Sequence, residues 1–203
     1  TKKDLEPALS IALADFGGSG INSIVGTSQN QLHIIDGSSL NILWSSIVLA
    51  GTSASASIDT ADLSGDGVPD LIASVSRLLV INGASKIYRQ TAETDYRGFA
   101  VSEDALGNKQ IWAGTSNGLL VKVDPNTMTR QTLGSICSGA VNSIKASTST
   151  VFEGSVQFAC DDTIGLWGLA ENQVIWRSPV LGTQVGLLNN LVAAEQEDQA
   201  VLM

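Results

Sequence analysis

The feature that most limits what this chain can fold into is an internal repeat of about 44 residues. Gln31-Leu32-His33-Ile34-Ile35-Asp36-Gly37, continuing through Asn41-Ile42-Leu43-Trp44, aligns without gaps on Thr163-Ile164-Gly165-Leu166-Trp167-Gly168-Leu169 through Gln173-Val174-Ile175-Trp176. The offset is 132 residues, three times 44. Val25-Gly26-Thr27-Ser28 falls on Ala113-Gly114-Thr115-Ser116, and Asp36 on Asp124, at an offset of 88, twice 44. The second unit fits with small indels. Asp15 to Gly20 matches Asp62 to Gly67, and Ile34-Ile35-Asp36-Gly37 matches Val80-Ile81-Asn82-Gly83. Three agreements on one period make the chain an array of similar units.

Each unit reads as four short strands. In the third, apolar runs at 99–101, 111–114, 119–123 and 129–132 are separated by turn residues, and in the fourth the first strand is expected at 141–146. Apolar positions alternate or run short, which rules out helices. Glycine is frequent, at 20 residues, as tight turns require. Four antiparallel strands per unit of 40–50 residues is the pattern of a β-propeller blade. The expected fold is all-β, a propeller or partial propeller of about four and a half blades, treated as one domain over 1–203. Blades are expected near 9–50, 55–93, 96–134 and 139–179, with a partial one at 183–203. The polar stretch 1–8 is poorly suited to complete that last blade. Three readings follow: a segment cut from a larger ring, a small ring with one thin blade, or open edges that pair with another chain. A start at Thr1 rather than Met fits a processed product or a cut segment.

The chain's most chemical stretch is Asp62-Leu63-Ser64-Gly65-Asp66-Gly67-Val68-Pro69-Asp70, followed by the strand-like Leu71-Ile72-Ala73-Ser74. Side-chain oxygens fall at places one, three, five and nine, with glycine at six, as in a calcium loop. The expected ligands are Asp62, Ser64, Asp66 and Asp70 through side chains, and Val68 through its carbonyl. Ala73 supplies no bidentate acid at place twelve, so the loop joins two strands and is no helical calcium sensor. The competing reading is an Asx-rich turn without metal. The matching loops are poorer. The first offers Asp15, Gly17, Ser19 and Ser23; the third offers Asp104, Leu106, Asn108 and Gln110.

With these residues laid out, two family resemblances stand out. The run from Leu32 to Trp44 resembles the repeat of quinoprotein-dehydrogenase-like propellers. Asp62 to Ser74, and more weakly Asp15 to Thr27, resembles the FG-GAP/VCBS repeat of integrin α-subunits and bacterial surface proteins. That second likeness implies a structural calcium and a binding role.

Catalytic chemistry is hard to assemble. His33 is the only histidine and faces away from its neighbours Leu32 and Ile34 on a strand. No serine sits in a Gly-x-Ser-x-Gly elbow, and Gly17-Gly18-Ser19-Gly20 lacks the Lys-Ser/Thr of a phosphate loop. Trp44 and Trp176 share a repeat position and are expected to wedge between blades, with Trp112 and Trp167 in the core. Lys+Arg 11 against Asp+Glu 20 gives a net charge of -9, with the bases scattered, which argues against nucleic acid. No apolar run approaches the roughly 20 residues of a membrane-spanning helix. Cys137 and Cys160 lie either side of an expected hairpin, and two readings stay open: a disulfide, implying an oxidising compartment, or two buried thiols.

The resulting expectation is a non-enzymatic interaction module of a secreted, periplasmic or surface protein, with a calcium staple. It would bind a protein or carbohydrate, without nucleic acid or membrane insertion, and could self-associate through open blade edges. The rival expectations are a remnant of a quinoprotein-like dehydrogenase and a purely structural assembly domain.

Overall fold

Alternating apolar residues bounded by Gly, Asp and Ser turns produce strands wherever the repeat puts them. The computed structural model describes residues 11–28, 31–46, 57–75, 77–103, 107–146, 154–180, 193–196 and 199–202. The chain forms two compact units, Thr1–Thr94 and Asp95–Met203.

The first unit holds two four-stranded antiparallel sheets, each a meander with strands in chain order. One is β1 (Ile11–Ala14), β2 (Ser23–Ser28), β3 (Gln31–Ile35) and β4 (Ile42–Ser45). The other is β5 (Ser57–Ala61), β6 (Asp70–Val75), β7 (Arg77–Ile81) and β8 (Tyr88–Gln90). Strand side chains alternate between faces, so one face of each sheet meets the other sheet. Val25, Leu32 and Ile34 pack there with Leu71, Ala73, Leu79 and Ile81, joined by Phe16 and partly buried Trp44 and Ile58. Each such large side chain contributes roughly 1.5–3 kcal/mol on burial.

The second unit repeats the plan. β9 (Tyr96–Glu103), β10 (Lys109–Thr115), β11 (Leu119–Val123) and β12 (Arg130–Ser135) form one meander. β13 (Ser143–Ala146), β14 (Ser155–Ala159), β15 (Ile164–Gly168) and β16 (Gln173–Arg177) form the next. A short pair, β17 (Ala193–Gln196) and β18 (Gln199–Leu202), follows. The core joins Trp112, Leu120, Ile136, Val141, Ile144, Val156, Phe158 and Trp167. Cys137 and Cys160 are disulfide-bonded across the β13–β14 hairpin, with Cα atoms 5.6 Å apart. Gly165 has no side chain because Phe158 lies there: a Cβ would sit 2.4 Å from the ring.

The third and fourth strands of every meander are joined by the same turn. Leu40, Lys86, Met128 and Asn172 each have positive φ, between 52° and 60°. Each donates its backbone N–H to the carbonyl four residues earlier, on Asp36, Asn82, Asp124 and Gly168. The register shifts by one between β3 and β4, β11 and β12, and β15 and β16, a bulge inside each strand pair, whereas β7 and β8, joined by the same turn, pair without a shift.

Two expectations need correction. The third blade's first two strands, expected at 99–101 and 111–114, are longer. Glu103 pairs with Lys109 and Ser102 with Gln110. Those polar residues extend the hairpin through backbone bonds and a Lys109–Glu103 ion pair, which hydrophobicity cannot signal. The fourth blade's first strand, expected at 141–146, starts at Ser143, and Val141 packs in the core as loop. Residues 185–192 of the expected fifth unit lie outside the described residues. No helix among the described residues is long and apolar enough to cross a membrane.

Candidate functional site

The Asp62–Asp70 loop links β5 to β6 and lies against the turn between β7 and β8. Gly65 and Gly67 take positive φ, 74° and 82°, which lets the backbone wrap around its first carboxylate. Asp62 Oδ1 accepts from Gly65 N at 2.7 Å and Asp66 N at 3.2 Å, and Oδ2 from Gly67 N at 3.0 Å. Asp66 Oδ1 accepts from Val68 N at 2.8 Å, the main reason its carboxyl is held below the usual range. Asp70, at the start of β6, is fully buried. Its Oδ2 accepts from Leu63 N and Ser64 N, both at 2.9 Å. Its Oδ1 accepts from Gly83 N at 2.8 Å and Asn82 Nδ2 at 3.1 Å.

Gly83 is required for that contact. A Cβ there would lie 1.9 Å from Pro69 O. Gly37 does the same in the first blade, where a Cβ would lie 2.0 Å from Asn22 O.

The structure therefore brings the expected ligand residues into one loop, yet turns the carboxylates of Asp62, Asp66 and Asp70 onto N–H donors. A carboxylate offers about four lone-pair sites, and the four donors on Asp70 fill them. Asn82 Nδ2 also donates to Ser64 Oγ at 3.2 Å and Asp66 Oδ2 at 3.4 Å. Among the described residues, no group of three or more His, Cys, Asp or Glu side chains is placed to hold a metal ion. As arranged, Asp70 has no lone pair left to give a calcium ion. Sequence reading missed Asn82. Its signal was the alignment with Asp36 and Asp124, which marks one turn position that changes charge between blades.

The first blade's loop has the same shape with a single acid. Asp15 Oδ1 accepts from Gly17 N at 3.1 Å and Ser19 N at 3.2 Å, and Oδ2 from Gly20 N at 2.6 Å. The Gly20 bond leads the causes that lower its pKa. In the third loop, Asp104 and Leu106 lie outside the described residues, and Gln110 is part of β10.

Elsewhere, His33 is 4% exposed and its Nδ1 contacts Ser45 Oγ at 2.8 Å across β3 and β4. Trp112 and Trp167 are buried, as expected. Trp44 packs against the first core, and Trp176, on the outer strand β16, is 43% exposed. Beside the disulfide is an open cavity lined by Ser135, Cys137, Cys160, Asp162, Thr163 and Arg177. Arg177 stacks over Phe158, its guanidinium carbon 5.2 Å from the ring centroid, and donates to Thr163 Oγ1 at 3.1 Å and to Ile136 O.

No protein-family model matches the chain, and no curated protein matches it. Solved structures do. A protein of unknown function from Bacteroides caccae is 16% identical, with a TM-score of 0.58 over 93% of this chain and 67% of that one. BBS1N, solved in complex with ARL6DN, is 12% identical, with a TM-score of 0.61 over 85% of this chain and 52% of that one. The computationally designed Ika4 protein is 12% identical, with a TM-score of 0.57 over 83% of this chain and 94% of Ika4. The chain thus spans about half the length of BBS1N, a β-propeller. At such identities the likeness concerns the fold. The four four-stranded meanders and these neighbours define an all-β protein of the β-propeller class.

Proposed function

We propose that the chain is a β-propeller portion acting as a non-enzymatic binding module of a secreted, periplasmic or surface protein. The observation that carries the binding role is the outer fourth strand. Ile42 and Leu43 on β4, Tyr88 on β8 with Ile87 beside it, and Ile175 and Trp176 on β16 are all exposed. Apolar side chains recurring at one blade position are expected where a partner is met. The Cys137–Cys160 disulfide supports an oxidising compartment. The resemblance of the Asp62 loop to FG-GAP/VCBS repeats supports a surface setting. The charge of -9 favours a protein or carbohydrate ligand over nucleic acid.

A second reading, self-association, is favoured by Trp176, a large aromatic exposed on an edge strand. Light scattering over a concentration series tests both. Mass that grows with concentration, and no longer grows in a Leu43→Ser, Trp176→Ser double variant, supports self-association. A constant monomer supports a foreign partner. Binding of that partner unaffected by the double variant would remove the outer strands from the account.

A further inference from the structure

We propose that the Asp62–Asp70 loop is held shut without a metal ion, the Asn82 carboxamide standing where its acid-rich spacing calls for a cation. Asn82 Nδ2 lies 3.1 to 3.4 Å from oxygens of Ser64, Asp66 and Asp70, three of the five residues the spacing marks as ligands. An amide NH2 is a donor with partial positive charge, so it answers these oxygens in the same sense as a cation.

Its orientation is fixed from the other side. Asn82 Oδ1 accepts from Ser85 N at 2.7 Å and Ser85 Oγ at 2.8 Å. The equivalent oxygens make the same turn elsewhere: Asp36 Oδ1 accepts from Ser38 N and Ser39 N, and Asp124 Oδ1 from Asn126 N and Thr127 N. With Oδ1 committed to the turn, the nitrogen must face the loop.

Charge explains the choice of residue. In the first and third blades this position is aspartate. In the second, where the adjoining loop already holds Asp62, Asp66 and Asp70, it is asparagine. A carboxylate there would put oxygen against three oxygens with no donor between them. The Asp15 loop adds an independent argument: it folds the same way around one carboxylate, using backbone N–H groups alone. The loop shape therefore needs no cation.

Thermal melts of the full chain in calcium and in chelator, for wild type and Asn82→Asp, test this. The wild-type midpoints should coincide. Asn82→Asp should melt several degrees lower in chelator, and calcium should recover part of that loss, because the new carboxylate completes a cation site. A wild-type midpoint that falls in chelator overturns the proposal. So does an Asn82→Asp chain as stable in chelator as wild type, or one that calcium does not rescue. If Asn82→Asp folds in neither condition, the wild-type pair still decides.

Discussion

Single carboxylates carry much of this structure by accepting N–H groups from their own loops and turns. Asp36 is the clearest case. The Ser38 hydroxyl, then the Ser39 amide, hold its pKa down to about 2. Because the folded pKa lies below the ordinary 3.8, its contribution is present above about pH 4 and is lost as pH falls through about 2. Asp36→Asn keeps the oxygen but loses the charge, so an acid titration followed by circular dichroism should show a shallower loss of stability over that window. Gly83 carries a steric rule instead. Gly83→Ala forces a Cβ into Pro69 O and should cost about 1–3 kcal/mol in a denaturant melt. An unchanged midpoint would mean that the loop does not sit on the turn as described. These residues were legible to different degrees. The oxygens of the Asp62 loop stand out in the sequence by type and spacing. Which partner each oxygen takes does not, because a carboxylate answers a cation and a backbone N–H with the same lone pairs.

At the scale of the strand and turn, the repeat was readable because blade geometry fixes it. Leu119–Val123 and Ile42–Ser45 follow directly from apolar runs bounded by turn residues. The β9–β10 hairpin was harder, since Ser102, Glu103, Lys109 and Gln110 extend it through backbone pairing that polar side chains neither require nor forbid. The left-handed turn residue was also hidden. Leu40 and Lys86 are poor choices for positive φ, and only Asn172 is of a type that favours it. Leu40 is exposed, at 56%, so replacing it removes little packing. Leu40→Asn should therefore stabilise the chain by about 0.5–1 kcal/mol, part of the strain of a left-handed non-glycine residue. A drop in midpoint would mean that the Leu40 side chain makes contacts that outweigh the strain.

For the whole molecule, the blade plan was visible in the 44-residue period, whereas the covalent tie was not. Two cysteines 23 residues apart suit a disulfide or a pair of thiols equally until the hairpin brings them together. Reduction should lower the stability of the unit containing them by about 3 kcal/mol, as expected for opening a loop of that length. Hydrogen exchange should then speed up first in β13 and β14. Non-reducing mass spectrometry of native material should find the protein two hydrogens lighter than its dithiol. The acidic loop of this propeller chain is closed by its own N–H donors. Residue-resolved hydrogen exchange across the full chain, in chelator and again in calcium, tests it most directly. Exchange should be slowed at Leu63, Ser64 and Gly83 in chelator, where Asp70 receives their N–H groups, and should not change on adding calcium. Unprotected amides in chelator that gain protection only with calcium would contradict it.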